Sequence, residues 1–490
     1  MTRVLPRPPA QSELPPARSG PANLRRTVDC DICVVGDDLA AHLLAFDLAH
    51  RGNDVVLVPG QRAPRLGMGG VLAPGFRLAV SDLVERVGPA DAQELLLLSA
   101  AAAARGMDMA GAAGVHVGPK GRLTVARSHA AEALMREHEA RAALLPESSV
   151  LLDAADTAAL LETDLFAAAL GIVPAERVDG LALHAAIAAA AREEGVRVLG
   201  EAAASVDVGG LRKYVFTAGQ QVRAYRVAFC GGAGLGGILP AVAAALETSM
   251  WVCGTLVGER RRIHYGGVVE EAGATGLGFH FDGDGTTFAA ETATLVRGRR
   301  AVARVLRRHA GEAYPELAAA EGREVRAVRL ARPRRGMPGI QERAPGVFHA
   351  VTAGDGELAH GVLAAGLIAG AMLDRDDRIA LFQPFGLEPA VQTIGGVSRV
   401  AAYWHARLTA QLAPRAVAPA QDDPAVPVSS VEPAAMAPLR PTPPVGEGRA
   451  PSQRPARVGR GVKAAADLSR GAVRAALGMA VRHGRGRDQA

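Results

Sequence analysis

Residues 28–60 constrain this chain more than any other stretch. An apolar run from Asp31 to Val35 reaches Gly36, and Leu39, Leu43, Leu44 and Leu48 follow at helical spacing until Gly52 breaks the pattern. Val55-Val-Leu-Val58 is a second apolar run, so the segment predicts strand, helix and strand. A turn of this kind that holds a diphosphate reads G-x-G-x-x-G. The second glycine lets the backbone approach the phosphates, and the third lets the helix lie close on the strand. Here the three positions hold Gly36, Asp38 and Ala41. Ala41 is a mild change, whereas Asp38 puts a carboxylate at the positive end of a helix, where diphosphate charge would lie. The acid that would bind a ribose hydroxyl, expected about 20 residues on, is replaced by Pro59.

Asp38 also has a local use. Aspartate is a favoured helix N-cap, and its side chain would accept from the first free amides and fill the anion site from within. The residues therefore leave two readings open: a nucleotide site with an altered turn, or a self-capped scaffold without cofactor. NAD or NADP meets the same objection. Arg62 and Arg65 could hold a 2′-phosphate, yet Asp38 would repel that cofactor's diphosphate too.

At 490 residues the chain has room for about two to three domains. Aromatic content is only 4%, so Ala-rich helices such as Leu95 to Ala104 are expected to supply packing. No apolar run approaches the roughly 18 residues of a membrane span, and the Pro-rich start has no signal-peptide core, so the expected location is cytoplasmic. Cys30, Cys33, Cys230 and Cys253 sit in apolar strand-like runs and are expected as buried free thiols, Cys30-Asp-Ile-Cys33 included.

Residues 1–27 carry six prolines and read as a disordered leader, and eleven prolines from Pro414 to Pro455 mark a disordered linker over 413–456. Residues 452–490 carry a net +7 and the leader +4, which leaves −6 for the rest of a chain whose total is +5. The basic character thus belongs to the ends. Val462, Ala466, Val473, Leu477, Ala480 and Val481 fall loosely on one helical face, so the 457–490 tail could lie on an anionic membrane surface, nucleic acid or an acidic protein, or stand solvated.

Between these ends, Gly180 to Ala191 predicts a helix, Val196 to Leu199 a strand, and Val206 to Val227 a small meander turning at Gly209-Gly210 and Gly219. Arg226 to Cys230 is a further buried strand that runs into Gly231, with a helix expected near Gly298 to His309. Val347 to Val351 leads to Gly354-Asp-Gly356 and a helix from His360 to Leu373.

In order and spacing these segments resemble the FAD-dependent D-amino-acid-oxidase superfamily, in particular its glycine-oxidase and gamma-glutamylputrescine-oxidoreductase-like branch. The resemblance covers about residues 28–412. It is carried by Cys30 to Gly36 with the helix and strand after it, Leu66-Gly-Met-Gly-Gly70, Pro174 to Leu183, Ala228-Phe-Cys-Gly-Gly-Ala233, and Met337-Pro338 leading to Gly354 and Gly361. It implies an α/β fold, a Rossmann-like FAD-binding domain interrupted by an α+β substrate domain. The FAD-binding part would comprise 28–76, 161–245 and 331–412, the substrate part 77–160 and 246–330.

The resemblance implies FAD lying extended, with its diphosphate at Gly36, Asp38, Leu39 and Ala41 and its ribose near Pro59 and Gly60. It sets the adenine near Ala203, Gly231 at the second strand end, and the ring against Gly69, Gly70 and the segment Gly354 to Gly361. The implied reaction is oxidation of a small-molecule amine or amino acid by hydride transfer. The departures are Asp38, Pro59 and the run Arg329 to Arg335, where relatives carry Trp and Gly-Gly. Arg332 is the candidate for gripping a substrate carboxylate. His360 and His280 are expected to face outward. No cluster has metal-ligand spacing. The alternative is a cofactor-free relative of this fold serving as a protein-interaction scaffold.

Overall fold

The computed structural model describes residues 26–60, 70–115, 121–146, 148–172, 174–257, 265–272, 277–282, 285–292, 298–333, 336–352 and 358–386. The proposed linker and basic tail lie outside them.

A six-stranded sheet forms in the order Gly339–Ala344, Val347–Val351, Arg226–Cys230, Ile32–Val35, Val55–Val58, Arg197–Val198. All neighbours are parallel except the first pair, which is antiparallel. Strands buried on both faces read as unbroken apolar runs, which is why Ile32–Val35 and Val55–Val58 were visible in the sequence. Their side chains alternate between two cores. Ile32, Val34, Val55 and Leu57 join helices Leu39–His50, Pro89–Ala113, Gly180–Glu193 and Leu358–Leu373. Cys33, Val35, Val56 and Val58 face a four-stranded layer of Arg26–Asp29, Gln220–Ala224, Lys213–Phe216 and Ser205–Asp207. Each such fully buried aliphatic side chain contributes about 1.5–3 kcal/mol.

The second sheet has eight strands in the order Glu321–Pro333, Leu246–Val257, Gly285–Thr292, Gly278–Asp282, Val268–Glu271, Arg122–Ala126, Ala168–Ile172, Ser149–Leu152. Helix Arg299–Ala313 covers one face, burying Val302, Leu306 and Ala310 with Phe279 and Phe288. Arg127 closes a buried ion cluster, 2.7 Å from Glu271 and 2.9 Å from Glu312.

Several expectations are corrected. Arg26 and Thr27, read as leader, belong to a strand paired in parallel with Gln220–Ala224, because the meander's edge takes up their backbone groups. The Ala-rich helix runs from Pro89 to Ala113, long and apolar enough by composition to cross a membrane. It packs instead with the crossover and terminal helices in the nucleotide-side core, tied by an Arg105–Asp47 ion pair of 2.6 Å, although its residues were expected in the substrate domain. Ala168–Ile172, expected on the nucleotide side, pairs into the eight-stranded sheet. His280 is buried, since its strand lies inside that sheet with neighbours on both edges. All four cysteines are buried, and none is in a disulfide.

Candidate functional site

The chain leaves strand Ile32–Val35 for the strand on one side, Val55–Val58, and only later adds Arg226–Cys230 on the other. The carboxyl ends of Ile32–Val35 and Arg226–Cys230 therefore flank a topological switch point, where open parallel sheets bind ligands. A glycine stands at each end. A Cβ on Gly36 would lie 2.2 Å from the Cys230 carbonyl oxygen, so only glycine permits this approach. Gly36 N–H donates to Val58 O at 3.0 Å and Gly231 N–H to Ala350 O at 2.8 Å, which pins both turns to the sheet. A Cβ on Gly60 would come within 3.4 Å of Gly36 Cα, so the second strand's end closes on the same turn.

Asp38 stands in extended conformation (φ −108°, ψ 178°) as the N-cap of helix Leu39–His50, and its Oδ1 accepts from Ala41 N–H at 2.9 Å. The other carboxylate oxygen points across the crevice, 3.9 Å from where a Gly231 Cβ would be. Burial first, and then this nearby carboxylate, pushes the Cys230 thiol well above its ordinary pKa. On the next strand His349 is buried against Phe229, and burial, helped by Arg343, lowers it to about 4, so its imidazole is neutral at pH 7. Behind Asp38, His42 Nδ1 lies 3.1 Å from the Asp38 carbonyl and 2.9 Å from His184 Nε2.

Residues 31–371 match the family model described as FAD dependent oxidoreductase. The chain belongs to that family. No curated protein matches it by sequence. Among solved structures it is similar to glycine oxidase from Geobacillus kaustophilus (TM-score 0.59, 17% identity, 74% of this chain and 99% of that one). It is also similar to L-proline dehydrogenase from P. horikoshii (0.58, 14%, 74% and 98%) and L-amino acid deaminase from Proteus vulgaris (0.57, 15%, 73% and 96%). At these identities the likeness is one of fold: a Rossmann-like FAD-binding domain with a substrate domain.

FAD is the cofactor of this family, and the crevice fits it in backbone and strains it at one side chain. Gly36, Gly60 and Gly231 keep the switch point free of Cβ atoms, while Asp38 occupies the helix amide that would meet a phosphate. Its carboxylate is half-exposed and can turn outward, and losing the cap costs about 1 kcal/mol. The larger cost is charge: roughly 3 kcal/mol for each phosphate charge about 5 Å away at an effective dielectric of about 20.

The other expected contacts divide. Leu39 and Ala41 are buried in the first turn of the helix. Pro59 and Gly60 are half-buried at the crevice edge. The Ala203 N–H is already donated to Pro59 O at 3.0 Å, so only its carbonyl could meet an adenine. Gly70 is covered rather than open: a Cβ there would lie 2.1 Å from Leu358 Cδ1, because the terminal helix starts at Leu358, not His360, and its first side chain packs between Gly70 and Gly180. Gly361 is a helix-packing residue, its would-be Cβ 3.6 Å from Leu39 Cβ. Gly69, Gly354, Arg334 and Arg335 lie outside the described residues. His360, expected outward, is buried and donates from Nε2 to the Gly75 carbonyl at 2.9 Å.

Arg332 sits at the end of strand Glu321–Pro333, opposite Glu247, with its guanidinium 4.6 Å over the Trp251 ring. Trp251 donates from Nε1 to Ser249 Oγ at 2.8 Å, which fixes the ring. Sequence reasoning missed Trp251. With only two tryptophans in the chain, one inside an apolar strand-like run is a signal that could have found it.

Proposed function

We propose that this protein oxidises a small amine or amino acid in an FAD-dependent reaction, with Gly36, Gly60 and Gly231 passing the cofactor's diphosphate and ribose along the switch-point crevice. The observation that carries the reading is the pair of glycines at the two adjacent strand ends, each held to the sheet by its own N–H, within a family defined by FAD. Bound FAD supplies a hydride acceptor, and the substrate's carbon–nitrogen bond becomes an imine that water hydrolyses.

The chain's own part is binding and orientation. Arg332, stacked on Trp251, presents a planar fork suited to a substrate carboxylate, and the stacking reduces the freedom lost on binding. Amino-acid substrates would depend on it and simple amines would not. Replacing Arg332 with Ala should therefore raise KM for amino acids and leave KM for amines unchanged.

One observation favours a second reading, a cofactor-free interaction scaffold: the helix start is already capped by Asp38. Colour separates the two. Purified full-length protein that shows oxidised-flavin absorption, or takes it up from added FAD, supports the oxidoreductase. A colourless protein that fails to take up FAD favours the scaffold.

A further inference from the structure

The outer face of the substrate half carries a cationic recess that the proposed reaction does not use. Helix Arg299–Ala313 places Arg299, Arg300, Arg304, Arg307 and Arg308 around a concavity of about 710 Å³ whose far wall begins at Glu321. Arg300, Arg304 and Arg308 repeat every fourth residue, so they stand in one row spanning about 12 Å of helix. Gly322 forms the floor. A Cβ on it would lie 3.1 Å from Ala303 Cβ, so glycine lets helix and strand meet and leaves the recess between their side chains.

Three features distinguish this from an ordinary solvated face. First, residues 28–451 carry a net −6, yet among the described residues Arg299, Arg300, Arg304 and Arg308 make no ion pair, and the one acid on the rim, Glu321, lies 3.8 Å from Arg323 instead. Second, the helix is charged against its own dipole: Arg299 and Arg300 occupy the first turn, which holds no acid, and Gly298 gives no side-chain cap. Third, Arg307 is anchored, its Nε donating to Ala320 O at 2.6 Å, which leaves its terminal nitrogens to the recess.

We infer that this recess binds a small polyanion bearing two or more clustered phosphates. Arginine forks are the groups that bind phosphate oxygens, a row of three arginines matches charges in series, and the volume is that of a small-molecule pocket. The phosphates could belong to a soluble polyphosphate compound such as a nucleoside triphosphate or to a phosphorylated lipid headgroup.

The test is calorimetric titration of the full chain with inorganic tripolyphosphate at low salt, beside Arg304→Ala/Arg308→Ala. Both side chains are exposed and alanine favours helix, so the variant should fold and keep the parent's circular dichroism. Saturable binding that the variant weakens about tenfold or more supports the inference. Competition for that binding by a nucleoside triphosphate assigns a soluble ligand, and competition by vesicles containing phosphatidylinositol bisphosphate assigns a headgroup. The basic ends are the same in both proteins and cancel. No saturable binding, or binding of equal strength in the two proteins, overturns the inference.

Discussion

Two helix starts in this molecule treat negative charge in opposite ways. At Leu39–His50 the chain supplies its own anion: Asp38 accepts from Ala41 N–H and faces Gly231 across the crevice. At Arg299–Ala313 the start is left without a side-chain cap, and two arginines add to the positive end of the dipole. The first is where family likeness sets a diphosphate, and the second has no such inheritance. Architecture alone therefore does not tell where an anion binds. The charge and cap of each helix start also weigh on it, and here they act against the position the fold would suggest.

The contrast can be broken at five places, from the larger effects to the smaller. Gly36→Ala drives a Cβ into the Cys230 carbonyl at 2.2 Å, which neither strand end can yield without leaving the sheet. A loss of about 3 kcal/mol or more in chemical denaturation is expected, together with loss of any FAD uptake. The same change at Gly298, where a Cβ meets nothing within 4 Å, should cost only about 1–2 kcal/mol from its φ of +82°.

Acid should act on the crevice and spare the recess. His349 has a folded pKa of about 4 against an ordinary 6.5, so the unfolded chain binds its proton more readily. Its contribution is fully present above pH 6.5 and is lost as pH falls toward 4, up to roughly 3 kcal/mol. His349→Phe should flatten the stability profile across that window. An unchanged profile would show that the imidazole is not held neutral. Arginines keep their charge throughout and tripolyphosphate's own protonation at about pH 6 is common to both proteins, so its binding should be the same in the parent and His349→Phe at every pH.

At the recess, Arg299→Glu/Arg300→Glu replaces two cations at the positive helix end with two acids. Stability should rise by about 1 kcal/mol while polyanion binding falls, a trade that Tm and titration measure together. A fall in Tm would mean these arginines hold structure rather than a ligand. Asp38→Ala should lower stability by a similar amount, about 1 kcal/mol, through the lost cap, read by chemical denaturation.

Much of the nucleotide side was legible in the sequence because its signals are local. Ile32–Val35 and Val55–Val58 are apolar on both faces, the crossover helix has its leucine spacing, and Asp38 carries its cap in its residue type. What was not legible depends on distant pairings. Leu358 reaches Gly70 from 288 positions away, Arg332 meets Trp251 only through the register of two long strands, and Ala203 gives its N–H to Pro59. His280 and His360 were expected outward from local pattern, and both are buried by neighbours that local pattern does not contain. The recess escaped notice for a different reason. Five arginines on one helix show no recess in the sequence, because its floor at Gly322 and its single acid, Glu321, come from a strand that the fold brings alongside.

The measurement that bears most directly on the comparison is FAD affinity of the parent protein against Asp38→Asn, by titration of flavin fluorescence. Asparagine keeps an oxygen to accept from Ala41 N–H and removes only the charge, so the cap and the repulsion are separated. With the crevice holding the cofactor's diphosphate, the Asp38→Asn variant should bind FAD about 100-fold more tightly than the parent, the equivalent of about 3 kcal/mol. Equal affinities would mean the carboxylate never meets the phosphates, and no binding by either protein would remove the oxidoreductase reading and leave the fold alone.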